Sequence, residues 1–92
     1  MTHETEATAV RVTVRYFAAA RAAAGTDTER IELPAEASVR DVLTVVRARH
    51  STGLARVLDA ASYLLDGVAV RDHDTAISDQ SQLDVLPPFA GG

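Results

Sequence analysis

The chain has 92 residues, 47% of them apolar, no cysteine and a formal net charge of −4. That length supports one domain around a single modest core, and the lack of Cys excludes disulfides, thiolate chemistry and Cys-based zinc sites. The absence of any basic tract argues against nucleic acid as a partner, and no apolar stretch approaches the length of a membrane span.

Residues 1–8 begin acidic and polar, with Glu4 and Glu6, and show no periodicity. They predict a flexible extension without the basic start and apolar run of an export signal, which fits a cytoplasmic protein. From Val10 the pattern changes. Val10, Val12, Val14 and Tyr16 alternate with Arg11, Thr13 and Arg15, which predicts a half-buried strand with Phe17 on its polar face. Ala18–Ala24 has high helix propensity and is stopped by Gly25, predicting two turns of helix with a left-handed cap. Thr28 to Leu33 reads as a second short strand ended by Pro34.

Ser38 is a good N-cap, and Asp41 three residues later completes a capping box with a shorter acid. Val39, Val42, Leu43 and Val46 then follow the helical period, so this main helix buries one face and runs to about His50. Ser51, Thr52 and Gly53 break it, and Leu54, Val57 and Leu58 are expected to add a short helical turn to the core. Ser62–Leu65, Asp66-Gly67 and Val68–Arg71 form a hairpin signal, because Asp-Gly suits a type I′ turn with positive φ at both central residues. Pairing puts Leu65 opposite Val68, and Leu64 with Ala69 on the other face. The stretch from Asp72 reads as a connecting loop in which only Ala76 and Ile77 are expected to be buried. Gln82–Leu86 is the last strand, with Leu83 and Val85 inward and Asp84 and Leu86 outward.

The order strand, strand, helix, strand, strand, strand is that of an α+β domain of β-grasp, ubiquitin-like type, a mixed sheet wrapped on one main helix. In that topology the first and last strands lie side by side and parallel, and both end at one edge. The domain is expected over residues 9–88, with residues 89–92 a protruding tail. Strand phasing places Phe17, Leu64, Ala69 and Leu86 on the face away from the helix, rimmed by Arg11, Thr13, Arg15 and Asp84. Such a cluster is a docking surface for a partner; the alternative is four scattered apolar residues of the kind surfaces tolerate.

The chemistry points to the tail Pro87-Pro88-Phe89-Ala90-Gly91-Gly92. Pro-Pro stiffens it and carries it away from the sheet. An enzyme that activates a terminal carboxylate threads the tail through a narrow channel, where Gly lets another backbone approach closely. The Gly92 carboxylate would become an acyl-adenylate, and sulfide could displace AMP to leave a thiocarboxylate. ATP must be bound by the activating partner, since this chain has no Gly-rich phosphate loop and no Lys. All nine basic residues are Arg, so the chain offers no side-chain amine for an isopeptide bond.

Two stretches resemble the small-subunit family of molybdopterin synthase, which are ubiquitin-like sulfur carriers. Val14 to Gly25 is similar to that family's opening strand, short helix and Gly, and Leu83 to Gly92 to its ending, a hydrophobic strand running into Pro-Pro-x-x-Gly-Gly. The likeness covers about residues 10–92. It implies a non-catalytic subunit of a transferase that binds no cofactor itself. It implies that the last Gly is adenylated by an E1-like adenylyltransferase and converted to a thiocarboxylate. On the same resemblance the tail would then enter the large, catalytic subunit and give sulfur to cyclic pyranopterin monophosphate in molybdenum cofactor biosynthesis. The resemblance also implies an apolar partner surface at positions matching Phe17 and Leu86. Smaller residues at Ala22–Ala24 and Ala69 depart from the pattern and would flatten that surface.

Other readings stay open from the residues: a sulfur carrier for cysteine or thiamine biosynthesis, a ubiquitin-like protein modifier joined through Gly92, or a plain interaction module with an idle tail. His3, His50 and His73 are dispersed without ligand spacing and read as solvent-facing. Asp72-His73-Asp74 reads as a charged loop, and no side chain stands out as catalytic.

Overall fold

A computed structural model describes residues 9–50 and 52–88. The expected extension 1–8 and tail residues Phe89, Ala90, Gly91 and Gly92 lie outside them, as does Ser51. Strand β1 (Ala9–Tyr16) leads into helix α1 (Ala18–Ala24), strand β2 (Thr28–Pro34), helix α2 (Val39–Arg49), helix α3 (Thr52–Ala60), strands β3 (Ser62–Leu65) and β4 (Val68–Ala69), and strand β5 (Ser81–Leu86). The sheet order is β2-β1-β5-β3-β4, with β1 and β5 parallel at its centre and the other pairs antiparallel. This is the expected β-grasp order.

The alternation in β1 places Val12 and Val14 wholly inside, facing Val39, Val42 and Val46 of α2 and Leu83 and Val85 of β5 in one core. Each such side chain contributes roughly 1.5–3 kcal/mol by leaving water. The Ser38 hydroxyl accepts from the Asp41 amide at 3.3 Å, and the Asp41 carboxylate accepts from the Ser38 amide at 2.9 Å, the reciprocal capping box. Gly25 ends α1 with φ +79°, which a side chain would oppose. Asp66 and Gly67 both have positive φ, as the hairpin turn requires. Asp66 then clips that turn to β5, since its Oδ1 accepts from the Gln82 amide at 2.9 Å.

Two expectations need correction. The turn around Leu54 is a nine-residue helix whose Leu54 and Leu58 are core residues, and it packs against α1. In the loop before β5, Ile77 is buried and Ala76 is exposed. That loop does more than connect. Its carbonyls at Thr75 and His73 accept from the amides of Val39 and Arg40 at 3.0 and 2.8 Å, satisfying donors that the first turn of a helix leaves free.

Both sheet edges are blunted. On β2 the Thr28 carbonyl accepts from Thr26, the Arg30 carbonyl from Arg49, and Pro34 has no amide hydrogen. The other edge, β4, is two residues long. The two-residue β4 offers no long ladder for another chain to extend, and β2 has part of its outer edge occupied.

Candidate functional site: an apolar groove at the root of the tail

The site is built where β1 and β5 finish together. Their parallel register pairs Tyr16 with Val85, and the Phe17 amide donates to the Val85 carbonyl at 3.3 Å. Phe17 then leaves the sheet as the extended N-cap of α1, and Ala18 takes φ +49°. On the neighbouring strand the chain passes from Leu86 to Pro87 and Pro88. Phe17, Ala18 and Ala19 from one strand end, and Leu86, Pro87 and Pro88 from the other, line a groove of about 530 Å³ together with Ser62. The groove is mostly apolar. Phe17 is 37% exposed, more than most of the large apolar side chains among the described residues, and Leu86 is half-buried.

Of the residues expected on this face, the structure brings Phe17 and Leu86 into one groove, with Pro87 and Pro88 continuing from Leu86. Leu64 and Ala69 share the sheet face but do not line it. They sit one row away, in the line of cross-strand partners Arg15, Asp84, Leu64 and Ala69. Leu64 is half-buried and Ala69 exposed. Gly92, Phe89, Ala90 and Gly91 lie outside the described residues.

Asp84 departs from its expected place on an exposed rim: it is 6% exposed. The cause is Arg15, whose Nε and Nη2 donate to Oδ1 and Oδ2 of Asp84 at 2.8 and 3.1 Å. That pairing holds the Arg15 guanidinium above its ordinary range. Phasing gave the outward face for both residues, but their contact depends on β1 lying beside β5, which no local pattern encodes. Ala18, Ala19 and Ser62 were not singled out as groove residues for the same reason.

His50 and His73 also require correction, since neither faces solvent freely. Nε2 of His50 lies 2.7 Å from Oε1 of Glu29, and both side chains are 16% exposed. The same oxygen accepts the Tyr16 hydroxyl at 2.7 Å, and Arg49 donates to Oε2 at 3.1 Å. This cluster ties β1, β2 and the end of α2 together on the helix side of the sheet. His73 meets the edge of the Tyr63 ring at 5.5 Å. Asp74 of the charged loop pairs with Arg40 at 2.9 Å. Among the described residues there is no group of three or more His, Cys, Asp or Glu able to hold a metal ion, and no helix long and apolar enough to cross a membrane. The groove at the strand ends presents mainly apolar side chains, with the Ser62 hydroxyl among them, and so is chiefly a surface for contact.

Known proteins are similar to this chain in sequence and in fold. The chain is 31% identical, over 84 residues, to the molybdopterin synthase sulfur carrier subunit of Chlamydomonas reinhardtii, covering 90% of this chain and all of that protein. A solved structure from Pyrococcus furiosus, described as molybdopterin converting factor subunit 1, superposes with a TM-score of 0.77 at 33% identity, covering 87% of this chain and 99% of that one. Small archaeal modifier protein 1 of Haloferax volcanii gives 0.77 at 25% identity, over 87% and 99% of the two chains. The model of the ThiS family matches residues 14–92, a span that takes in the end of β1, all of β5 and the Gly-Gly end, and the chain belongs to the ThiS family.

Proposed function

We propose that this chain is the sulfur carrier subunit of a molybdopterin synthase, acting in the cytoplasm. The observation that carries the reading is the apolar groove formed by Phe17, Leu86, Pro87 and Pro88 where the parallel pair β1 and β5 ends. It lies at the root of the Gly-Gly tail, so a protein seated there holds the tail beside its own active site. The likeness to the Chlamydomonas reinhardtii subunit along that protein's whole length supports the same conclusion.

In this reading an E1-like partner binds ATP and transfers AMP to the Gly92 carboxylate with release of pyrophosphate. Sulfide then displaces AMP and leaves a thiocarboxylate. The large synthase subunit receives the tail and supplies the catalytic side chains for sulfur transfer to the pterin precursor. This chain binds no cofactor and contributes one carboxylate, a tail narrow enough to be threaded, and a groove that anchors its receiver. Leu64 and Ala69, one row away on the same face, extend that contact.

The test is co-expression with the E1-like enzyme and a sulfur donor, followed by intact mass. One oxygen replaced by sulfur, mapped to Gly92, is the expected product. An unchanged mass in the presence of active enzyme and ATP sinks the proposal. The fold likeness to a small archaeal modifier protein favours a second reading, attachment of Gly92 to other proteins. Adducts recovered with the tagged chain, and lost when Gly92 is deleted, would select it.

A further inference from the structure

The outer face of the sheet carries one ion pair whose geometry is linked to the wall of the groove. The Asp84 side chain, on the central strand β5, is 8% exposed. Both of its oxygens are taken by a single guanidinium, Nε of Arg15 on Oδ1 and Nη2 on Oδ2. The Cζ atom of that guanidinium lies 5.3 Å from the centroid of the Phe17 ring. That is within the range in which a cation is attracted to an aromatic face. A side-on fork fixes the guanidinium plane as well as its position, which a single-point ammonium cannot do.

Phe17 needs such support. It stands at the end of β1 after the sheet register has stopped, 37% exposed, and it is not part of the buried core. Stability alone gives a poor reason for the pair, because the Arg15 side chain is 41% exposed and an ion pair open to solvent on one side contributes little. Holding an exposed aromatic in one orientation is a different service. A side chain ordered before binding does not lose its rotamer freedom on association, and so binds more tightly.

We infer that Asp84 and Arg15 are positioning residues: Asp84 fixes the guanidinium of Arg15, and Arg15 holds the Phe17 ring as a preformed wall of the partner groove. The inference rests on the docking reading above. It also explains a charged pair in the middle of a face otherwise suited to apolar contact.

The test uses the full chain and the large synthase subunit of the same organism. Asp84→Asn and Arg15→Lys are compared with Phe17→Ala and with the double change Arg15→Val and Asp84→Val. Affinity, thermal midpoint and the proton nuclear Overhauser contact between the Arg15 side chain and the Phe17 ring are measured for each. Asp84→Asn and Arg15→Lys should each weaken binding by about three- to tenfold and lose the Overhauser contact. The double Val chain should regain the thermal midpoint but still bind weakly, which a purely structural role would not produce. Wild-type affinity in Asp84→Asn, while Phe17→Ala binds weakly, overturns the inference and leaves the docking reading standing. Recovery of affinity together with stability in the double Val chain overturns it as well. Wild-type affinity in Phe17→Ala refutes the docking reading itself, and this inference with it.

Discussion

Oε1 of Glu29 accepts the Tyr16 hydroxyl and lies 2.7 Å from Nε2 of His50, so one carboxylate oxygen joins the end of β1 to the end of α2. Burial alone would raise the Glu29 carboxyl. The hydrogen bonds from His50, Tyr16 and Arg49 together outweigh it and hold the group below the ordinary carboxylate range. A carboxyl lowered in the folded state contributes stability above its unfolded pKa, near 4.3, and loses it as pH falls through the lower folded value. Glu29→Gln should therefore cost about 1–3 kcal/mol at neutral pH and flatten the acid limb of stability. Urea unfolding across the acid range checks both. A variant with the same acid limb as the native chain would show that Glu29 is not the group responsible.

The groove gives a second prediction. Phe17→Arg and Leu86→Arg each place a charge where an apolar partner surface would sit, and should weaken binding to the large subunit by at least about tenfold. Because Phe17 is exposed and Leu86 only half-buried, the thermal midpoint should change little. Calorimetric titration alongside thermal melts separates the two effects. A large fall in stability for Leu86→Arg would place that side chain in the core.

Alkaline pH tests the other side of the sheet. The Tyr63 hydroxyl donates to the Leu58 carbonyl at 2.7 Å and joins β3 to the end of α3. Burial is the main cause pushing this hydroxyl up to about 12, and burial with Glu29 pushes Tyr16 up as well. A group raised in the folded state contributes stability that is whole below its unfolded pKa, near 10, and lost as pH rises through the folded value. Tyrosinate absorbance should thus stay flat near pH ~10 and rise with unfolding above it. Tyr63→Phe should lose about 1 kcal/mol at neutral pH and fall less steeply on the alkaline limb.

What could be read from the residues follows the range of the interactions. Periodicity located β1, α2 and the Asp66-Gly67 hairpin, because alternation, caps and turn chemistry act within a few residues. The inward set Val39, Val42, Leu43 and Val46 is buried as its spacing requires. The length of α3 was not legible: Thr52 and Gly53 look like breakers, and packing of Leu54 and Leu58 against the core overrides that local preference. Asp84 and His50 were misplaced for one reason. Each is covered by a residue distant in sequence, 69 positions away for Arg15 and 21 for Glu29, and only the assembled sheet brings them together. The groove lay between these limits. Phe17 and Leu86 could be phased to one face, but its other wall comes from Ala18 and Ala19, where a run of Ala signals only helix.

That wall carries the last prediction. Ala18 has φ +49° at the point where the chain leaves β1 for α1, whereas Ala19 beside it has an ordinary negative φ. A left-handed conformation costs a residue with a Cβ roughly 1–2 kcal/mol, and Gly adopts it freely. Gly also adds about 0.5–1 kcal/mol of backbone entropy to the unfolded chain, which offsets part of the gain. Ala18→Gly should therefore be neutral or stabilising by up to about 1 kcal/mol. Ala19→Gly, in the helix with no such conformation to relieve, should destabilise by about 0.5–1 kcal/mol. Denaturant unfolding of the two single variants reads the difference directly, since both changes remove one methyl from the same groove. Equal losses in both would mean that the backbone at Ala18 carries no strain and that the methyl contacts alone matter.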